Sequence, residues 1–301
     1  MSYTSADSCA MTYERQVVDW SHRRRLVVHC PRPLRVVFLF MRYLSLTLVL
    51  LICCVLPVQP RGAVAASRPR TTSTQTVVID PGHGGSDAGA TDASGQLIEK
   101  NLTLQVAQKA ASYLKAMGYR VYLTRTSDRA VNTPARDLNH DGKIDRVDEF
   151  DARTLFANSH HADVFVSIHF DGSSDPTVRG THGYYCPARP FWQQSKVLAD
   201  LLTTSVASAV QRSGYADLDK GVETDVADVV PQTRADYPWF LVLGPSRKRW
   251  LTGSAMPGAL IESMFLSSPR DATALQHAAT ITALARGYAA GIHAFLLQSA
   301  H

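Results

Sequence analysis

Residues 77–85 read Val77-Val78-Ile79-Asp80-Pro81-Gly82-His83-Gly84-Gly85. A β-branched apolar run stops at an acid, a proline and a histidine framed by glycines. Such a run is a buried strand that ends in a tight loop, and the loop carries one metal-type side chain. The pattern recurs twice. His169 closes the apolar run in DVFVSIHFDGS, and Glu262 sits at the end of the run in GALIESMFLS. Three buried strands that each deliver a metal-type or acid/base side chain at their C-terminal ends point to one shared site.

Between these strands the pattern alternates. Strands are expected at 76–80, 119–125, 163–169, 182–186 and 258–262. Helices are expected at about 100–117, 149–160, 192–212 and 271–297. The stretch 215–257 is loop-rich, with one further strand expected at 239–243. Strands alternating with helices specify an α/β domain with a mostly parallel or mixed central sheet and helices on both faces. In such sheets ligands collect beyond the carboxyl ends of the strands, which is where His83, His169 and Glu262 fall.

The chain has 301 residues and a formal net charge of +5, and that charge is unevenly spread. Residues 1–65 hold eight of the 31 basic and three of the 26 acidic residues, so 23 of each remain for 66–301. The body is formally neutral, which argues against nucleic acid as a partner. Four of five cysteines also lie in 1–65, and only Cys186 remains afterwards. The body can form no internal disulfide, and a metal site there must draw on His, Asp or Glu.

Residues 43–58 (YLSLTLVLLICCVLPV) are uncharged and mostly apolar, with Arg42 before them and Ala63-Val64-Ala65 after. This is the layout of a secretory signal, and sixteen residues fall short of the roughly 20 of a comfortable membrane span. The expectation is a secreted, extracytoplasmic protein with no stable membrane span after signal cleavage. Counted from Met41 the signal has ordinary length, so Met41 is the expected start. Residues 66–75 read as a linker, and 76–301 as a single catalytic domain.

A catalytic zinc takes about three protein ligands and keeps a position open. His83 and His169 supply imidazole. Glu99, in GQLIEKNLTL, is the expected oxygen ligand, placed at a helix start where its carboxylate also meets the positive end of the dipole. The glycine-rich loop between His83 and Glu99 is able to fold back. Glu262 is then left to act as general base and acid. Singly, each residue has an ordinary explanation in packing or helix capping; their joint placement carries the case.

VVIDPGHGGSDAGA, the Glu99-Lys100 run, ARTLFANSHHADVFVSIHFDGS and PGALIESMFLSSPRDA together resemble the zinc-dependent N-acetylmuramoyl-L-alanine amidases of the type 3 cell-wall amidase family, over roughly 77–297. The resemblance implies hydrolysis of the amide joining the lactyl group of N-acetylmuramic acid to L-alanine in peptidoglycan. It also implies that His83, Glu99 and His169 bind zinc and that Glu262 is the catalytic acid/base. This chain departs from the pattern at Phe170, where the family has a small residue and a narrower cleft is expected. It departs again in 215–257, where Arg234, Arg247 and Arg249 are the candidate substrate arginines. The alternatives are a zinc peptidase acting on the stem peptide and a non-catalytic cell-wall-binding domain. The sequence identifies no protein activator.

Residues 137–148 (DLNHDGKIDRVD) carry a second metal pattern. Asp137, Asn139, Asp141, Lys143 (through its carbonyl), Asp145 and Asp148 stand at positions 1, 3, 5, 7, 9 and 12 of an EF-hand-type loop, with Gly142 at the sharp turn. Hard oxygen donors at this spacing suit a structural Ca²⁺. Position 12 is Asp rather than Glu, with Glu149 a substitute beside it. His140, His160, His161, His182, His277 and His293 show no partner pattern.

Overall fold

The apolar run that opens the domain is the second strand of a six-stranded mixed sheet. A computed structural model describes residues 74–226 and 237–299. The expectations for the signal segment, for Met41, for most of the linker and for Arg234 lie outside the described residues. Along the chain come β1 (Thr76–Pro81), α1 (Glu99–Ala116), β2 (Arg120–Leu123), α2 (Arg146–Ser159), β3 (Val164–Asp171) and β4 (Thr181–Tyr185). Then follow α3 (Trp192–Arg212), β5 (Asp219–Thr224), β6 (Gly258–Phe265), α4 (Pro269–Leu275) and α5 (Ala278–Ser299). The strand order is β2-β1-β3-β6-β4-β5. All neighbours are parallel except β4 and β6.

Strand alternation divides the interior. Val77, Ile79, Val164, Val166, Ile168, Ala259 and Ile261 pack with α1, α3 and α5 in the larger core. Val78, Phe165, Leu260 and Tyr184 face the other way, onto Ala157 of α2 and Val242, Leu243 and Met256. Successive side chains on a strand point to opposite faces. His169 and Glu262 therefore rise on the α2 side, and so does His182. They form one row: His169 pairs with Glu262 across β3–β6, and Glu262 with His182 across β6–β4.

Two expectations are corrected here, and one strand was not foreseen. Residues 239–243 form no strand; Leu243 and Gly244 both donate back to the Phe240 carbonyl in turns. Their apolar character serves burial against the sheet, not strand pairing. The strand in this region is β5, an edge strand whose polar sequence (DKGVET) hides it, since one side of an edge meets solvent. The helix expected at 271–297 is two helices, broken at Gln276 and His277, where no glycine or proline marks the stop.

Candidate metal centre and its cleft

The site begins where β1 runs out. His83 adopts φ +60°, which turns the chain out of the strand. The loop then folds back: Glu99 and Lys100 donate their backbone N–H groups to the carbonyls of Ala90 and Ala88. Glu99 is thereby delivered as the first residue of α1, buried to 3% exposure. Its Oε1 lies 3.0 Å from His83 Nε2 and 3.0 Å from His169 Nδ1. The same oxygen accepts from the Phe170 N–H (2.9 Å), and Oε2 accepts from the Ala90 N–H (2.7 Å). The two imidazole rings stand edge to face, 4.9 Å apart.

The residues around the triad fit a zinc ion. One donor atom from each of His83, Glu99 and His169 lies within 4.8 Å of the others, the only such cluster among the described residues. Two imidazoles and a carboxylate are zinc's preferred donors, and three of them leave a fourth position open. The cradle is also shaped around them. A Cβ on Gly82 would strike the His169 ring, and one on Gly89 (φ +68°) would strike the Glu99 carboxylate and the His83 ring. Asp87 Oδ2 sits 2.9 Å from His83 Nδ1, a carboxylate–histidine pairing that orients metal-binding imidazoles.

Electrostatics point the same way. Burial on its own lowers the basicity of His83, but Asp87 and Glu99 outweigh it and hold the imidazole up to about 9. Burial would raise the Glu99 carboxyl, yet His169 and His83 hold it well below the usual carboxylate range. The cluster is a concentrated demand for positive charge, which protons or a divalent cation can meet.

Beneath the cradle lies a polar layer that sequence reasoning missed. Asp80, fully buried, accepts from Thr124 Oγ1 (2.5 Å), Ser167 Oγ (2.8 Å) and Arg153 Nη1 (2.8 Å). Arg153 also donates to the carbonyls of Pro81 (3.0 Å) and His83 (2.8 Å) and to Glu149. Arg125, fully buried, donates to the carbonyls of Pro81 and Gly82. Two guanidiniums thus clamp the backbone that presents His83. The acid before the proline in the opening motif was the one available signal.

Glu262 is half-buried at the end of β6, the register partner of His169. It opens on a cavity of about 520 Å³ shared with His182, Tyr184, Lys220 and Phe265. His182 is tied to Asp171 Oδ2 (2.9 Å) and to the Tyr184 hydroxyl (3.3 Å), partners the sequence did not show. Phe170 does not narrow this cleft. It points to the opposite face from His169 and is 1% exposed in the larger core, as alternation demands. Arg247 and Arg249 line a separate cavity with Asn139 and Asp151, which contains none of His83, Glu99, His169 and Glu262.

In the loop 137–148, Asp137 accepts from the N–H groups of Asp141 and Gly142, and Asn139 Oδ1 from Asp141. Asp145 caps α2, and Asp148 accepts from Leu138 and Asp145 in a capping box. The oxygens of Glu149 accept from the N–H groups of Val131 and Asn132 and pair with Arg153, as those of buried Asp148 accept from the N–H groups of Leu138, Asn139 and Asp145.

The chain is similar to several known proteins. The family model described as N-acetylmuramoyl-L-alanine amidase matches residues 77–294. N-acetylmuramoyl-L-alanine amidase AmiC of Neisseria meningitidis is 27% identical over 255 residues, 77% of this chain and 55% of that protein. The sporulation-specific N-acetylmuramoyl-L-alanine amidase of Bacillus subtilis is 31% identical over 218 residues, 72% of this chain and 66% of that protein. The crystal structure of an N-acetylmuramoyl-L-alanine amidase from Clostridium difficile 630 superposes with a TM-score of 0.54 at 26% identity, covering 75% of this chain and 98% of that one.

Proposed function

Because the chain belongs to the N-acetylmuramoyl-L-alanine amidase family and hydrolyses the amide between N-acetylmuramic acid and L-alanine in peptidoglycan, we propose that His83, Glu99 and His169 hold a zinc ion and that Glu262 is the acid/base. The observation that carries this reading is the convergence of His83 Nε2 and His169 Nδ1 on Glu99 Oε1, with Glu262 next to His169 in register. Zinc bound there would polarise the scissile carbonyl and lower the pKa of a water to about 7. Glu262 takes the proton from the attacking water and hands it to the departing L-alanine nitrogen, as the C–N bond breaks and the C–O bond forms. Asp87 and the Phe170 and Ala90 N–H groups hold the two ligands that face them.

The test is digestion of peptidoglycan. New L-alanine amino termini and free lactyl carboxylates are expected; cuts inside the stem peptide would indicate a peptidase, and no cuts a binding domain. Glu262→Gln is expected to abolish cleavage while zinc content persists, and full activity in that variant overturns the acid/base assignment.

Two further parts of this proposal concern location and a second metal. An extracytoplasmic site of action fits a wall substrate, and among the described residues no helix is long and apolar enough to cross a membrane. The loop 137–148 takes a structural Ca²⁺, supported by its EF-hand spacing and by Gly142 at φ +89° in the sharp turn. Chelation with EGTA at constant zinc is expected to lower the melting temperature; no change removes calcium from the proposal.

A further inference from the structure

Two cavities flank the reacting centre. One, of about 330 Å³, holds His83 and His169 with Arg146 and Phe150. The other, of about 520 Å³, holds Glu262. They are not equivalent chemically, because the amide to be cut has two unlike sides. The group that protonates the departing nitrogen must face that nitrogen. On the amidase reading the departing nitrogen lies within reach of Glu262, and the peptide it carries is assigned to the cavity that Glu262 lines.

The charges in the Glu262 cavity then bear on what the leaving peptide carries. Its second acid, Asp171, is paired with His182 at 2.9 Å. Its cation is Lys220, exposed on the edge strand β5. Lys220 makes no ion pair with any described residue. Its Nζ lies 4.7 Å over the ring centre of Phe265, three residues beyond Glu262 on β6. Phe265 is itself buried, its N–H given to Asp271 Oδ2 at 2.9 Å. A cation seated over a fixed aromatic ring is held in place without being neutralised. The ammonium stays available to an anion entering the cavity.

We propose that Lys220 is a specificity-determining residue that binds a carboxylate of the stem peptide, one residue beyond the L-alanine whose nitrogen departs. The inference rests on the amidase reading, since it takes its direction from Glu262 as proton donor. Two residues of extended chain reach at most roughly 7 Å, so a carboxylate on the second stem residue stays within one cavity with the scissile nitrogen. Lys220 makes no ion pair with Glu99 or Glu262, so it acts on binding and not on the bond-breaking step.

The experiment compares two soluble substrates, each N-acetylmuramic acid carrying a short stem peptide. In one the second stem residue has a free α-carboxylate, and in the other that group is a carboxamide. With the zinc-supplemented full chain, the free acid is expected to show the lower KM. Lys220→Ala is expected to raise KM for the free acid about twofold to fivefold, with kcat unchanged and little effect on the amide. Lys220→Arg should restore most of the difference. Equal effects of Lys220→Ala on both substrates, or none on either, overturn the proposal while leaving the amidase intact. Failure of the unsubstituted chain to cut either substrate overturns the amidase reading, and this inference with it.

Discussion

Replacing Asp80 by Asn should cost this protein more than any single surface change, and the reason is visible beneath the metal cradle. Asp80 is fully buried and is the direct counterion of Arg153, whose side chain is 4% exposed. Burial alone would raise the Asp80 carboxyl, but the Arg153 charge and the Thr124 and Ser167 hydroxyls hold it below its ordinary value, so it is ionised at neutral pH. Asn keeps the shape and removes the charge. Arg153 is left with Glu149 and two backbone carbonyls in a buried site. Stranding one member of a buried pair costs about 3–5 kcal/mol. Against a total stability of about 5–15 kcal/mol that is a large fraction. At a urea dependence of about 2 kcal/mol/M the unfolding midpoint falls by roughly 2 M. The second consequence is local: Arg153 also holds the His83 carbonyl, so zinc affinity should fall about 10- to 100-fold, as for other groups that orient metal ligands. Urea denaturation followed by circular dichroism measures the first, and competition with a zinc chelator the second. Ser167→Ala, which removes one hydrogen bond and no charge, is the control at about 1 kcal/mol. A midpoint shift for Asp80→Asn below roughly 0.5 M, with unchanged zinc affinity, refutes the reasoning.

Gly89→Ala places a methyl against Glu99 and His83 at a positive φ; zinc stoichiometry should drop sharply while far-UV circular dichroism stays unchanged, and full zinc occupancy would contradict the cradle. Phe170→Ala should cost about 3–5 kcal/mol by thermal unfolding yet leave KM unchanged below the transition, because the ring fills the core and not the cleft. Asp217, buried beside Asp271, has its carboxyl pushed up by burial to about 6, despite a hydrogen bond from Thr181. The folded state therefore holds an extra proton between about pH 4 and 6, and stability present below that range is lost as pH rises through it. The loss is about 3 kcal/mol by linkage, and Asp217→Asn should flatten that part of the pH–stability curve relative to the parent.

Much of this was legible along the chain. The strands that carry His83, His169 and Glu262 are buried on both faces, and an uninterrupted apolar run bounded by glycine or a polar turn announces such a strand locally. The metal-type residues follow those runs directly, so residue type and position sufficed to name them. The equal count of acids and bases in 66–301 and the lone Cys186 limited partners and ligands before any fold was known. The expectation of a cleft narrowed by Phe170 overlooked strand alternation, which sends Phe170 to the opposite face once His169 faces the cleft.

What the tertiary structure decided is which residues face which. β6 arrives late in the chain yet inserts between β3 and β4, and that order makes Glu262 the neighbour of both His169 and His182. The Asp80–Arg153 pair spans 73 positions and His182–Asp171 crosses from one strand to another; neither leaves a periodic trace. β5 was hidden because an edge strand is half solvated, and 239–243 misled because burial against a sheet asks for the same residues as membership in one. Local sequence sets the strand, its end and the residue type there. Register and strand order, fixed by packing the whole sheet between its helices, turn those ends into one site.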